Sequence, residues 1–325
     1  MKIGVIGGGV WGSTLAKLLS NNKVFLFARD KKVIKSINEH HFNPKLKYAI
    51  FNDNITATDD LALLNDSDYL FIALPSQSIR EVLSAFKSSN ANLEIIIASK
   101  GIEISTLDML SKVVEDKTAC KNISVLSGPC FSDEVSQNLP TAVTFASKNR
   151  KSFDKVSSLF GKKNFRIYYS DDVIGCQIGG ALKNIYAIGA GITLGLNLGE
   201  NAKSAFITRS FAEMMRFAKA LGANEKTIFG LSGLGDLILT CNSVKSRNTK
   251  FGQIISTISL PNIEDILRSQ EVTEGYFTLS AVKKIADKKK IDMPIATSIY
   301  NILYNKYAIK DEINKLLERP ITDEF

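Results

Sequence analysis

The sequence predicts an α/β protein in which a domain built on a mostly parallel sheet is followed by an all-helical C-terminal domain. Short apolar runs alternate with amphipathic helical periods through the first half, which is typical of a parallel sheet covered on both faces. A glycine-rich turn follows the first run. Near residue 170 the strand signals give way to helical periods. We therefore predict a dinucleotide-binding domain at residues 1–170 and a helical substrate-binding domain at residues 171–325.

Length and charge limit the kinds of function that the protein can have. A chain of 325 residues is long enough for two domains, each with its own core. The formal charge of +8 is compatible with nucleic acid, a membrane surface or a small anionic ligand. The basic residues are scattered, and the one dense run, at residues 288–290, closes an amphipathic helix. There is no arginine-rich arm or zinc-finger spacing, so we expect a small anion and no nucleic acid.

The cysteines and histidines form no recognisable ligand set. The four cysteines are far apart and make no C-x-x-C pair: Cys120, Cys130, Cys176 and Cys241. This spacing argues against structural zinc and against a disulfide framework. His40 and His41 are adjacent, in a polar stretch that we expect to be a loop. We predict no metal site. The N-terminus leads directly into a strand without a signal peptide, so we expect a cytoplasmic protein.

The first strand ends in a glycine motif. The apolar run at residues 2–6 leads into Gly7-Gly8-Gly9-Val10-Trp11-Gly12, then a helical pattern at 13–19 and a second strand-like run at 24–28. In a β-α-β unit, Gly7 permits the tight turn, Gly9 lets the backbone approach a pyrophosphate, and Gly12 allows close helix–strand packing. We predict a Rossmann-type dinucleotide site; the alternative is merely a tight turn.

The residues after the second strand leave the choice of cofactor open. Arg29 would suit the 2′-phosphate of NADP, whereas Asp30 would suit the ribose hydroxyls of NAD. A solvated turn is the alternative for both.

Further strands and helices complete the predicted sheet. Strand-like runs are found at residues 69–74, 94–99, 123–127, 142–146 and 165–169, with helices at 78–86, at 105–115 and between the last two runs. Ligands bind beyond the carboxyl ends of such strands. Three ends carry polar or small residues: 74–76, 99–101 and 127–130. We expect Lys100 to point into the cleft; an ordinary turn lysine is the alternative.

In the helical half we predict helices at residues 171–196, 202–221, 246–257, 274–288, 294–304 and 309–318. One apolar stretch stands out among them. Residues 178–199 are the most apolar segment of their length and contain Lys183. A membrane span is disfavoured by the central lysine, Asn184 and six glycines. Inside protein, burial would lower the pKa of Lys183 and suit it to proton exchange. The alternative is a lysine whose stem packs while its amine reaches solvent.

Two polar turns lie in the helical half. Residues 231–236 form a glycine-rich turn that ends in Asp236, and Lys245-Ser246-Arg247-Asn248 opens a helix. Backbone N–H groups at a helix start, a guanidinium and short polar side chains suit a phosphate. Simple capping of the helix by Ser246 is the alternative.

These motifs together resemble the bacterial-type NAD(P)-dependent glycerol-3-phosphate dehydrogenases. The resemblance runs collinearly across nearly the whole chain, through GGGVWG (7–12), SKG (99–101), SGPCF (127–131), GGALKNIYAIGAG (179–191), SGLGDLILTC (232–241), SRN (246–248) and VTEGY (272–276). The later motifs discriminate far better than the glycine turn.

The resemblance implies roles for individual positions. Lys183 matches the catalytic lysine that exchanges a proton with the substrate C2 oxygen, and Lys100 matches a lysine that touches substrate and nicotinamide. The other positions implied for substrate binding are Gly128, Cys130, Asp236, Ser246, Arg247 and Asn248. Beside Gly7, Gly9 and Gly12, the positions implied for the cofactor, NAD or NADP, are Val10, Trp11, Arg29, Lys100, Ser132, Arg247, Val272 and Glu274. Asp236 is expected to position a substrate hydroxyl or to keep Lys183 charged.

Four positions depart from the usual family pattern. Cys130 replaces a common Ser or Thr, Val10 a frequent Ser, Ser132 a frequent Ala, and Asp133 a common Lys. We expect these departures to change affinity and to leave the chemistry intact.

The implied activity is the reversible reduction of dihydroxyacetone phosphate to sn-glycerol 3-phosphate for phospholipid synthesis, by a homodimer without stable membrane insertion. A dehydrogenase of another phosphorylated or 3-hydroxy substrate is the first alternative, although a hydroxyacyl enzyme would want a catalytic histidine. A non-catalytic nucleotide- or nucleic-acid-binding protein is the second; it would leave Lys183 and residues 246–248 without a role. Feedback inhibition is left open.

Overall fold

An eight-stranded sheet forms the N-terminal half of the protein. The computed structural model describes residues 1–321, apart from residues 47, 89, 162, 258–265 and 268–272. The sheet order is β3-β2-β1-β4-β5-β6-β7-β8, and neighbours are parallel except for β6 and β7. The strands are β1 Lys2–Ile6, β2 Lys23–Phe27, β3 Ile55–Thr58, β4 Tyr69–Ile72, β5 Glu94–Ile97, β6 Asn122–Ser127, β7 Thr141–Ser147 and β8 Phe165–Ser170. The predicted mostly parallel sheet is confirmed.

Helices cover both faces of this sheet. The central strands β4 and β5 are buried along their whole length, as their nearly unbroken apolar sequences require. Separate apolar clusters lie on the two faces, one around Leu15 and Phe71 and one around Ile97 and Val113. The helices are α1 Val10–Leu18, α2 Lys31–His40, α3 Ile79–Ala85, α4 Leu110–Lys117, α5 Ser132–Ser136 and α6 Arg150–Phe160.

Local structure in the first half of the chain differs from the prediction at several points. Helix α2 and strand β3 were not predicted, and the loop predicted at the histidines is wrong for His40, the last residue of α2. Asp30 caps α2 by accepting the N–H of Lys32 at 3.0 Å. The helix predicted from residue 105 begins at Leu110, because Leu107 has a φ of 65° and interrupts helical geometry.

The second half is helical in its described part, as predicted. Helix α7 runs through its centre, and nearly all its residues are buried, which fits a helix that is apolar all round. Its elements are α7 Val173–Gly195, α8 Gly199–Ala220, α9 Glu225–Phe229, a π-helical turn Leu231–Gly235, α10 Asp236–Cys241, α11 Arg247–Thr257, α12 Glu274–Lys289, α13 Pro294–Leu303 and α14 Ile309–Leu317. Among the described residues, no helix combines the length and the hydropathy needed to cross a membrane.

Glycines let α7 and α11 pack backbone against backbone. A Cβ on Gly191 would lie 2.0 Å from the Thr249 carbonyl oxygen, and a Cβ on Gly252 would lie 2.0 Å from that of Ile188. This close approach fixes the start of α11 relative to the middle of α7. The beginning of α7 packs against the sheet through Val173 and Cys176, although β8 ends at Ser170. The division at residue 170 therefore remains our proposal.

Candidate active site

Four elements bring the predicted lysines and carboxylate together. Lys100 lies three residues beyond β5, and Gly128 directly follows the neighbouring parallel strand β6. Because their carboxyl ends meet at one edge of the sheet, these residues face the same cleft. Helix α7 brings Lys183 to this edge, and the π-helical turn delivers Asp236 as the first residue of α10.

The Asp236 carboxylate is shared by two amines. Lys183 Nζ lies 3.0 Å from Asp236 Oδ1, and Lys100 Nζ contacts Asp236 Oδ2. Lys100 Nζ also donates to the Gly128 carbonyl oxygen at 3.1 Å, and Lys183 Nζ donates to Thr240 Oγ1 at 2.9 Å. The side chain of Asp236 is 1% exposed, those of Lys100 and Lys183 18% and 12%. The amines therefore keep limited access to the cleft, while the carboxylate is sealed beneath them.

The environment separates the proton affinities of the two lysines. Burial of Asp236 opposes its ionisation, but Lys100 and Lys183 outweigh it and hold the pKa of the carboxyl below its usual range. Burial and the charge of Lys100 lower the pKa of Lys183, although Asp236 opposes this shift. Burial also acts against the charge of Lys100, but Asp236 raises the pKa of Lys100 above its usual range. Lys183 is thus the more acidic ammonium group of the pair.

Thr240 belongs to this cluster and was not predicted from the sequence. It lies one helical turn after Asp236, donates to Asp236 Oδ1 at 3.3 Å and accepts the hydrogen bond from Lys183. The (i, i+4) spacing of Asp236 and Thr240 on α10 is the sequence feature from which this contact could have been predicted. Thr249 Oγ1 donates to the Thr240 carbonyl oxygen at 2.8 Å, so α10 is tied to α11 at this point.

The turn at residues 246–248 is anchored from three sides. Ser246 Oγ accepts the N–H of Thr249 at 3.2 Å and so caps the start of α11, which leaves its proposed role in phosphate binding untested. Asn248 is buried; its Nδ2 donates to Asn184 Oδ1 at 3.0 Å, and its Oδ1 accepts the Gly275 N–H at 2.9 Å. Arg247 is exposed. Asn184 directly follows Lys183, so the turn is held beside the lysine.

The glycine turn has the shape that a dinucleotide needs. Gly7 has a φ of 128°, and a Cβ there would lie 2.3 Å from the Ala73 carbonyl oxygen. A Cβ on Gly12 would lie 1.9 Å from the Gly7 carbonyl oxygen, whereas one on Gly9 would meet nothing within 4 Å. Helix α1 begins at Val10 without a side-chain cap. The start of α1 therefore has N–H groups without a side-chain cap and open space beside Gly9, which are the features that the binding of a pyrophosphate requires.

The remaining candidate cofactor residues are distributed around this turn. Arg29 and Asp30 are exposed between β2 and α2, and Lys45 Nζ lies 3.5 Å from Asp30 Oδ2. Trp11 packs partly buried against the sheet core. The Ser132 carbonyl oxygen accepts Thr14 Oγ1 at 3.4 Å, which joins α5 to α1. Val272 lies outside the described residues.

Glu274 joins the helical half to the sheet. Its carboxylate accepts the Ser76 N–H at 3.2 Å and Ser76 Oγ at 2.7 Å. Burial raises the pKa of Glu274, although Ser76 and the nearby charge of Arg247 oppose this shift. Gly101, directly after Lys100, has a φ of 146°, and a Cβ there would lie 2.6 Å from Ser76. The contact between Glu274 and Ser76 therefore lies directly beside the turn that carries Lys100.

Cys130 sits at the rim of the lysine cluster. Its Sγ lies 3.3 Å from the Gly128 carbonyl oxygen, to which the thiol donates. Burial raises the pKa of the Cys130 thiol although Lys100 and Lys183 favour the thiolate. A neutral thiol thus occupies the position of the hydroxyl that is common in the family pattern.

Of two cavities found among the described residues, the larger lies away from the lysine cluster. A cavity of about 670 Å³ lies behind the π-helical turn, between β8 and α9, and is lined by Thr144, Tyr168 and Lys226 among others. A narrow gap with no room for a water molecule adjoins Lys100. We place the site at the cluster, because the convergent charged groups and the shifted pKa values are there.

Comparison with known proteins gives a consistent result along the whole chain. The family models for the NAD-dependent glycerol-3-phosphate dehydrogenase N-terminus and C-terminus match residues 2–153 and 172–314. A glycerol-3-phosphate dehydrogenase [NAD(P)+] of Novosphingobium aromaticivorans is 41% identical, over 99% of this chain and 98% of that protein. The one from a Thermotoga species is also 41% identical, over 100% and 99%. The crystal structure of glycerol-3-phosphate dehydrogenase from Coxiella burnetii superposes with a TM-score of 0.91 at 32% identity, covering 98% and 99% of the two chains.

Proposed function

Since this chain belongs to the NAD-dependent glycerol-3-phosphate dehydrogenase family, we propose that its lysine–carboxylate cluster is the centre at which dihydroxyacetone phosphate is reversibly reduced to sn-glycerol 3-phosphate. The chain is an NAD(P)-dependent oxidoreductase acting on a CH–OH group. The observation that carries the assignment of the centre is the pair of lysines on Asp236, at the carboxyl edge of the sheet.

Lys183 is the proton donor of the reduction. The bound nicotinamide supplies or accepts the hydride at C2. The C2 oxygen then gains negative charge and needs a proton, and Lys183 has a side chain that is only 12% exposed and a pKa that is lowered by burial. In the reverse direction, the neutral amine of Lys183 accepts the proton of the C2 hydroxyl. A lowered pKa serves both directions, because the amine can change charge closer to neutral pH.

The neighbours of Lys183 orient it and add positive charge. Two N–H groups of the Lys183 ammonium are directed at Asp236 and Thr240, which leaves its third N–H to point towards the cleft. Lys100 keeps its proton because Asp236 raises its pKa, so it stabilises the developing alkoxide electrostatically and is not the proton donor. Asp236 is buried beneath both amines. Of the two roles expected for it, this position favours keeping the amines charged over direct contact with a substrate hydroxyl.

The turn at residues 246–248 binds the substrate phosphate. Arg247 is an exposed residue with a guanidinium group at the start of α11, and the first N–H groups of this helix add a favourable dipole. Asn248 Nδ2 has a second hydrogen beyond its bond to Asn184. Because Asn248 bonds the residue next to Lys183, a phosphate held here fixes the carbonyl relative to the amine. Gly128 and Cys130 complete the substrate cleft on the sheet side.

The glycine turn would hold the cofactor. The backbone at Gly9, Val10 and Trp11, where α1 begins without a side-chain cap and the space beside Gly9 is open, would bind its pyrophosphate. Arg29 and Asp30, which are exposed directly after β2, would contact the adenosine ribose. The further positions proposed to contact the cofactor are Gly7, Gly12, Lys100, Ser132, Arg247, Val272 and Glu274. We also propose a cytoplasmic homodimer that supplies glycerol 3-phosphate for phospholipid synthesis and binds no nucleic acid.

The direct test follows nicotinamide absorbance with dihydroxyacetone phosphate, separately with NADH and NADPH. We expect rapid oxidation that is abolished in Lys183→Met, and the ratio of kcat/KM values gives the cofactor preference. Oxidation of neither cofactor by a protein that binds both would reject this substrate. A 3-hydroxyacyl and a phosphogluconate-type substrate, run in parallel, would then identify the alternative dehydrogenase.

A further inference from the structure

An exposed lysine connects the proposed phosphate turn to the sheet. Lys245 directly precedes Ser246, and its Nζ lies 2.8 Å from Glu134 Oε1 and 3.2 Å from Asp133 Oδ2. Both carboxylates belong to α5, more than a hundred residues earlier in the chain. The amine also lies 5.8 Å from the centroid of the Phe131 ring. One lysine is therefore held by two carboxylates and an aromatic face.

This group of contacts spans the proposed substrate cleft. Helix α5 begins two residues after Cys130, on the sheet side of the cleft. Lys245 lies on the helical side, one residue before the turn at 246–248. The hydrogen bonds to Glu134 and then Asp133 raise the pKa of Lys245, so it stays protonated at neutral pH. The contact therefore joins the two walls that must hold the substrate between them.

We propose that Lys245, held by Asp133 and Glu134, is a positioning residue that sets the distance between the phosphate-binding turn and the sheet wall of the cleft. This inference rests on the proposed function of residues 246–248. It predicts that the ion pairs affect how well the substrate is bound and leave the chemical step unaffected.

A different role for Lys245 makes the opposite prediction. If Lys245 were itself a phosphate ligand, Asp133 and Glu134 would compete with the substrate for its amine. Neutralising the two carboxylates would then free the lysine and lower the KM for dihydroxyacetone phosphate. If Lys245 positions the turn, neutralising either side of the contact raises that KM. The sign of the effect therefore separates the two roles.

The experiment compares Lys245→Met, Asp133→Asn/Glu134→Gln and the triple variant with wild type. We expect Lys245→Met and the double variant each to raise the KM for dihydroxyacetone phosphate about 3-fold, the size typical of exposed ion pairs. The triple variant should raise it no further, because all three changes break one contact. The kcat value and the dissociation constant for NADH, measured by fluorescence, should stay within about twofold of wild type. Lys245→Arg should restore the KM.

Lys112 provides a matched control. Its Nζ lies 3.0 Å from Glu115 and 3.1 Å from Asp116, with similar exposure, but all three residues are on α4. Lys112→Met should therefore leave the KM unchanged. A lower KM in the double variant, additive effects in the triple variant or an unchanged KM throughout would each overturn the inference. Failure of the proposed function is recognised separately, because wild type would then not oxidise NAD(P)H with dihydroxyacetone phosphate.

Discussion

Lys183 Nζ lies 3.0 Å from Asp236 Oδ1, and the second oxygen of the same carboxylate is taken by Lys100. Two ammonium groups thus share one buried negative charge, and one net positive charge is left at the mouth of the cluster. This net positive charge requires two amines for one carboxylate, because a single buried ion pair would be neutral. The excess charge is available where an alkoxide or a phosphorylated substrate approaches.

Replacement of Lys183 by Met should remove the proton donor while keeping the apolar stem. We expect kcat/KM for dihydroxyacetone phosphate to fall by at least about 10³-fold, within the range for loss of a general acid. Steady-state rates with saturating cofactor measure the loss. Cofactor binding, followed by fluorescence, should be unchanged, since Lys183 is not among the residues proposed to bind the cofactor. A variant with near-normal turnover would exclude Lys183 as the donor.

Replacement of Asp236 by Asn should move the pH dependence of the reaction to lower pH. Asp236 opposes the lowering of the Lys183 pKa, so without its charge burial and Lys100 lower that pKa further. Reduction needs the ammonium form, and its rate falls as pH rises through this pKa. Profiles of kcat/KM against pH should therefore show the descending limb displaced to lower pH. In the oxidation direction, which needs the neutral amine, the ascending limb should move the same way.

A matched control exists for this pH experiment. Asp171→Asn removes an exposed carboxylate before α7 and should leave both limbs in place. A limb that moves to higher pH in Asp236→Asn would show that Asp236 does not support the charged form of Lys183. The Asn variant is also expected to unfold at lower temperature, because it leaves two buried amines without their counter-charge.

Replacement of Gly191 by Ala should disturb the turn at residues 246–248, although Gly191 itself lies on α7. The added methyl group would lie 2.0 Å from the Thr249 carbonyl oxygen, so α7 and α11 must separate. We expect a loss of about 1–3 kcal/mol in the free energy of unfolding, as for other overpacked sites. Since α11 carries Arg247 and Asn248, the KM for dihydroxyacetone phosphate should rise as well. Denaturant unfolding and steady-state rates measure the two effects, and an unchanged stability would contradict this packing.

The glycine turn and α7 could be predicted from sequence because their signals are local. Gly7, Gly9 and Gly12 have a fixed spacing after a strand, and α7 is apolar over more than five turns. Lys183 was conspicuous for the same reason, as one charge in an apolar stretch. Such features depend on neighbours in the chain and not on the tertiary fold.

The contacts between distant segments could not be predicted in this way. The sequence left two roles open for Asp236, and its pairing with Lys100, 136 residues earlier, is evident only in the structure. Helix α2 was missed because its polar composition gave a weak signal, although it is amphipathic and capped by Asp30. The resemblance implied a cofactor contact for Glu274, whereas its bond to Ser76 depends on how α12 docks on the sheet.

A buried carboxyl in the helical core should make stability depend on pH. Glu213 is 1% exposed, accepts the N–H of Ala296 at 3.1 Å at the start of α13 and accepts Tyr186 Oη at 3.3 Å. It also accepts the N–H of Ile295. Burial raises the pKa of Glu213 to about 7, although these bonds and Arg216 oppose the shift. The carboxyl is therefore mostly protonated in the folded protein below that pH.

The sign of the dependence follows from proton binding. An unfolded glutamate has a pKa of about 4.3, so between about pH 4.5 and pH 7 the folded state binds more protons at Glu213. The contribution of this residue to the free energy of unfolding should therefore decrease across that interval, by about 3 kcal/mol, and level off above it. Glu213→Gln keeps an acceptor for the two N–H groups and has no such proton. The difference in unfolding free energy between Glu213→Gln and wild type, measured with denaturant at pH 5, 6, 7 and 8, should shift in favour of the variant as pH rises. A constant difference would contradict a folded-state pKa of about 7 for Glu213.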